Sequence, residues 1–182
     1  MQRSFELAAL ERQLQQVCAG AGRVIVVHGP AGVGKSSLVR AVAQSASGTG
    51  VRVLSAWAGP LEREAGWGVV RQLFGPIAAG PEWGHFGVGA AALARRVLDP
   101  DPFAPTPTGD AAHAAAYGLS WLAYGLAEDA PTLLVVDDVH WTDAPSLRWL
   151  ARLSGHLTDL RLGCCAPCAR GSRRRSPRRW PT

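Results

Sequence analysis

The chain has 182 residues, 47% hydrophobic and 18% charged, which suits one domain with its own core and excludes a chain disordered throughout. Seven of the 19 basic residues lie in 161–182, so the net charge of +5 belongs to a tail; residues 1–160 carry 12 basic and 14 acidic groups, a net −2, and no DNA contact is expected of them. The start MQRSFELAALERQLQQ is mixed in charge and is no secretory signal, and four cysteines without a secretory context argue against a disulfide framework, so a cytoplasmic protein is expected.

In chain order, Leu7, Leu10, Leu14 and Val17 recur at helical spacing over 4–19, with Ser4 as the expected cap. The β-branched run 23–28 ends at a glycine loop and predicts a buried strand. A helix is expected over 36–46, with Leu38, Val39, Val42 and Ala46 on one face and Gly48 as its stop. A second strand is expected over 51–57, then helices over 67–79 and 88–98. Residues 99–110 hold four prolines and predict a surface loop. The apolar stretch 111–127 is short for a bilayer span and contains His113, Ser120 and two glycines, so a buried helix is expected and no membrane partner. Residues 132–137 predict a third strand, and Asp143-Ala-Pro-Ser opens a helix to about Leu157. Strands alternating with helices predict an α/β fold with a parallel sheet.

Gly29-Pro-Ala-Gly-Val-Gly34-Lys35-Ser36 fits G-x-x-x-x-G-K-[ST], with a strand before it and a helix after. Glycines let the backbone curl so that its N–H groups face phosphate oxygens, and the helix N-terminus adds positive potential. Gly29, Pro30, Ala31, Gly32, Val33, Gly34, Lys35, Ser36 and Ser37 are therefore the expected nucleotide cradle, with ATP and Mg²⁺ as its ligands. Lys35 is the only lysine in the chain and is expected to reach the β- and γ-phosphates, while Ser36 offers its hydroxyl to Mg²⁺. The bland alternative is a glycine-rich turn without a ligand.

Leu133-Leu-Val-Val-Asp137-Asp138 is an apolar strand ending in acid. Asp137 is assigned to Mg²⁺, and Asp138 to orienting or deprotonating the attacking water; either acid alternatively caps a helix or sits solvated in a loop. Roughly a hundred residues separate Lys35 from Asp137, which suits an ATPase-type core better than a compact small-molecule kinase. His140 either senses the γ-phosphate or positions Asp138, or is a loop histidine beside Trp141 as a packing anchor; His28 reads as structural. Cys165-x-x-Cys168 is half a zinc pattern without a second pair.

The stretches GPAGVGKSSLVRA, Leu61-Glu-Arg-Glu64 with Gly68-Val-Val-Arg-Gln-Leu-Phe74, and Leu133-Leu-Val-Val-Asp-Asp-Val-His-Trp-Thr-Asp-Ala-Pro-Ser-Leu-Arg-Trp-Leu150 together resemble the ATPase domain of the large ATP-binding regulators of the LuxR family, bacterial STAND-type, AAA-related ATPases. The resemblance covers about residues 3–160. It implies a nucleotide-driven switch: Gly29, Gly34, Lys35 and Ser36 cradle phosphate, Asp137 serves magnesium, and Asp138 is the hydrolytic acid. It implies at most a slow ATPase. The rival readings are a P-loop phosphotransferase and a non-functional remnant.

The sequence departs from that pattern after Leu160. The family's next strand is apolar and often ends in an arginine that contacts the γ-phosphate, whereas this chain continues RLGCCAPCARGSRRRSPRRWPT. A truncated or frameshifted product is the expectation, to be tested by sequencing the locus. The expected organisation is therefore a three-layer P-loop domain over 1–160, incomplete at its C-terminal side, and a basic tail over 161–182, disordered from about Gly163. A strand is still required between the two catalytic strands. The only candidate is about 160–165, where Arg161 must escape to an end of the sheet or find a partner. Whether that stretch fills the slot or leaves it empty, weak ATP binding with little turnover is expected.

Overall fold

A computed structural model describes residues 2–30, 32–60, 63–64, 66–99 and 106–170. Ala31, Leu61 and Glu62, the middle of the expected loop at 100–105, and the tail over 171–182 lie outside the described residues. Four strands, β1 (Arg23–Pro30), β2 (Arg52–Trp57), β3 (Thr132–Asp137) and β4 (Leu162–Arg170), run parallel in the order β1-β4-β3-β2. The helices are α1 (Gln2–Cys18), α2 (Lys35–Ser47), α3 (Gly68–Ala79), α4 (Trp83–Phe86), α5 (Arg95–Leu98), α6 (Gly109–Asp129) and α7 (Ala144–Ser154). Alternation along β2, β3 and β4 sends their side chains to two separate cores, while β1 at the sheet edge packs Ile25 and Val27 inward and leaves Val24 and Val26 exposed. Leu133 and Val135 face Leu10, Leu14, Val39 and Val42 of α1 and α2, while Leu134 and Val136 face α3, α6 and α7. This is the expected three-layer α/β core around a parallel sheet.

Three sequence expectations shift at their edges. α1 runs from Gln2, so Ser4 lies within the helix and is not its cap. The single helix expected over 88–98 is a 3-10 segment, Gly89–Ala94, followed by the short α5; Gly89 has φ +56°, a conformation that interrupts a helix. α6 covers 109–129 and buries Ala115, Leu119, Leu122, Ala123 and Leu126 against the 3-10 segment Gly89–Ala94 and the sheet, leaving Tyr117 and Trp121 exposed. No helix among the described residues is long and apolar enough to cross a membrane.

The largest correction concerns residues 162–170. They were expected to be poorly packed, yet they form β4, the strand between β1 and β3. The domain boundary expected at 160 thus precedes a central strand. The slot takes small side chains. At Gly163 a Cβ would lie 3.1 Å from Val17 Cγ2 and 3.3 Å from Leu133 Cδ1, so glycine lets α1 approach the sheet. Cys164 and Cys165 are buried on opposite faces. Burial pushes both thiols up to about 12, with Cys165 adding to the effect at Cys164, so they pack as small neutral hydrophobes. Pro167 follows the last residue paired with β3, Cys165, so its missing N–H breaks no bond in that ladder. Arg161 stays outside the strand: its guanidinium donates to Glu128 O, and its own carbonyl accepts from Thr132 N at 2.7 Å.

Candidate nucleotide site

β1 ends at Pro30 and α2 begins at Lys35, so the glycine loop turns over the C-terminal end of the sheet. Gly32 and Gly34 have φ +81° and +83°, left-handed values that cost a side chain strain. At Gly29 an added Cβ would lie 3.2 Å from Val33 Cγ2, so the loop closes tightly on its first residue. Gly34 caps α2 without a side-chain acceptor, which leaves the first-turn N–H groups of α2 for an anion. Lys35 Nζ donates to the carbonyls of Gly29 at 3.1 Å and Pro30 at 2.8 Å, which holds the ammonium over the loop.

β3 brings the acids to the same place. Ser36 Oγ donates to Asp137 Oδ1 at 2.8 Å across 101 residues of sequence, and Asp138 N donates to the same oxygen at 3.0 Å. Asp137 is 14% exposed, and its other oxygen lies 3.6 Å from Arg40 Nη2 on α2. A hydroxyl and a carboxylate that converge in this way are hard oxygen donors suited to Mg²⁺ beside phosphate. Asp138 has φ +53°, and its side chain is 45% exposed. His140 sits in the 3-10 turn Val139–Trp141, with Nδ1 at 4.0 Å from Asp138 Oδ1. Lys35, Ser36, Asp137 and Asp138 thus share one end of β1 and β3. Ser37 is exposed and instead borders a groove of about 300 Å³ with Ser4, Leu7, Leu38 and Ala41. His28 lies on the exposed face of β1, and Ala31 is outside the described residues. Another groove, of about 320 Å³, lies away from these residues against Phe86, Trp121 and Asp129.

Two features escaped the sequence. The first is Arg40: its place in α2 reads as an exposed helix position, and only the fold sets it beside Asp137. The second is Asp143, read from its Asp-Ala-Pro-Ser context as a helix start alone. It caps α7 by accepting from Ser146 N at 2.8 Å. Its carboxylate also accepts from Trp67 N at 3.0 Å and Val69 N at 3.2 Å, at the start of α3. Ser146 Oγ accepts from Val70 N at 3.2 Å. No local pattern encodes a partner some 75 positions upstream.

Nucleotide-site geometry of this kind invites comparison with known proteins. The sequence matches no curated protein. The Aeropyrum pernix ORC2 protein, solved in ADPNP–ADP complexes, superposes with a TM-score of 0.53 at 18% identity, over 92% of this chain and 41% of that one. The likeness shows the fold, and the chain spans less than half of that protein's length. Residues 1–165 match the AAA ATPase domain family, and with the phosphate loop, Ser36 and Asp137 assembled at one end of a parallel sheet, the chain belongs to that family.

Proposed function

We propose that this domain binds Mg·ATP and hydrolyses it slowly, as the nucleotide-driven switch of a regulator of the LuxR family type. The observation that carries the nucleotide reading is the 2.8 Å contact between Ser36 Oγ and Asp137 Oδ1, beside the lone lysine. The regulator reading rests on the resemblance of the D-D-x-H-W-x-D-x-x-S-L block, Asp137 to Leu147. Residues 1–160, at net −2, are assigned no DNA contact.

On binding, Lys35 exchanges the carbonyls of Gly29 and Pro30 for the β- and γ-phosphate oxygens. The amides of Gly34, Lys35 and Ser36 face the same anion. Ser36 and Asp137 would hold Mg²⁺, which would supply charge neutralisation at the phosphate oxygens. Asp138 orients water for attack at the γ-phosphorus and accepts its proton as the bond to ADP breaks, leaving ADP and phosphate. The groove beside Ser37, at about 300 Å³, is of a size to take the base.

Titration calorimetry of the full chain with ATP and ADP, with and without Mg²⁺, tests this reading. Saturable binding, strengthened by Mg²⁺ and accompanied by a rise in melting temperature, is expected. Absence of binding at millimolar nucleotide sinks it. Phosphate appearing on an acceptor, and not only in water, would replace it with phosphotransfer.

A further inference from the structure

Asp143 is 1% exposed and carries three backbone N–H groups from two different helices. A carboxylate that only capped α7 would need none from α3. Its Oδ1 accepts from Ser146 N and Trp67 N, and its Oδ2 from Val69 N, so both oxygens are committed. Two helix N-termini, each positive, meet on one negative charge. Ser146, itself fully buried, adds a bond to Val70 N. Further along the same segment, the Arg63 guanidinium stacks over the Trp141 ring, 5.9 Å from its centre. Arg63 and residues 67–70 therefore grip the stretch 141–146 at several points.

That stretch is continuous with the acids of the nucleotide site. Asp138 turns out of β3 with a left-handed backbone, and its carbonyl accepts from Trp141 N at 2.9 Å. Val139 O accepts from Thr142 N at 3.1 Å. The loop is thus one short 3-10 turn, anchored at one end by Asp137 in the sheet and at the other by Asp143. A segment so short and so bonded moves as a piece, and its far anchor is shared with α3.

We propose that Asp143 is a positioning residue that ties the loop carrying Asp138 to the start of α3, so that nucleotide at the phosphate loop alters residues 67–70 through this carboxylate. The proposal rests on the Mg·ATP reading above for its ligand, and not for the tie itself. Asp143→Asn is the incisive variant. The amide oxygen still accepts from Ser146 N and Trp67 N, but the NH₂ group in place of Oδ2 meets Val69 N–H donor to donor. The α7 cap survives while the bond to Val69 is lost. Ser146→Ala is a second, milder variant that removes only the acceptor of Val70 N. Leu153→Ala, a fully buried α7 residue, weakens the same helix without touching the carboxylate.

The test is backbone hydrogen exchange on the full chain, without nucleotide and with Mg·ATP or Mg·ADP, beside calorimetric affinities. In the unsubstituted protein, bound nucleotide is expected to change protection at both 139–142 and 67–70. In Asp143→Asn, affinity should stay within about threefold while the response at 67–70 falls at least tenfold. Ser146→Ala should give a smaller loss in the same direction. Leu153→Ala should keep the response. A full response at 67–70 in Asp143→Asn overturns the proposal, as does equal loss in Leu153→Ala or no response in the unsubstituted protein with nucleotide bound. If nucleotide does not bind at all, the ATP reading fails by itself. The tie is then read without ligand: Asp143→Asn must speed exchange of the Trp141 and Thr142 amides at least tenfold over Leu153→Ala, and equal rates sink it.

Discussion

Asp137 and Asp143 lie six positions apart, and each accepts hydrogen bonds from across the fold, under opposite conditions. Asp137 keeps 14% of its side chain exposed, shares one oxygen between Ser36 Oγ and a neighbouring amide, and has only an exposed arginine near the other. Its partners are ones that a cation can replace at little cost. Asp143 is 1% exposed and saturated by amides that have no alternative acceptor once buried. The same residue type therefore sits in two different settings: burial with fixed donors suits a structural joint, and partial exposure with exchangeable donors suits the ligand role proposed for Asp137.

Substitutions at the two positions sharpen that contrast, the largest effect being expected at the joint. Asp143→Ala strips the cap of α7 and leaves the amides of Trp67 and Val69 buried without an acceptor, for a loss of about 3 kcal/mol. For a domain of this size that lowers the melting temperature by roughly 6–12 °C. Calorimetric or fluorescence melting measures it, and a fall under about 2 °C would erase the distinction between the two aspartates. Asp137→Asn should leave the melting temperature without nucleotide nearly unchanged.

Function should respond in the reverse pattern. Asp138→Asn is expected to spare nucleotide affinity and slow any hydrolysis on the order of 10²-fold, read as phosphate release at saturating ATP. Lys35→Ala should weaken ATP binding more than tenfold, a loss of at least about 1.4 kcal/mol, with little change in unliganded stability. Asp137→Asn should shrink the gain in affinity that Mg²⁺ confers. If Asp137→Asn slowed hydrolysis and left the magnesium effect intact while Asp138→Asn did the opposite, the two roles would be exchanged. The smallest effect belongs to Arg40→Ala. An exposed pair at 3.6 Å contributes up to about 1 kcal/mol, so magnesium-dependent binding should tighten by no more than a few-fold, less so at high salt.

Local chemistry alone determined the phosphate loop, because Gly32, Gly34, Lys35 and Ser36 act through backbone conformation and spacing that a short stretch encodes. The alternation of apolar strands with amphipathic helices likewise determined the parallel three-layer fold and the strand end bearing Asp137. Only the tertiary structure decided where β4 goes. A glycine-cysteine run with arginine before it and proline within it reads as a poor strand, yet Val17 and Leu133 crowd the position that Gly163 occupies, and Arg161 clears the sheet by one position. The same holds for Arg40 and for the second role of Asp143. Each depends on a partner brought near by the sheet order β1-β4-β3-β2 or by the packing of α3 on α7. Contacts between distant residues are set by packing and leave no periodicity in the chain to read.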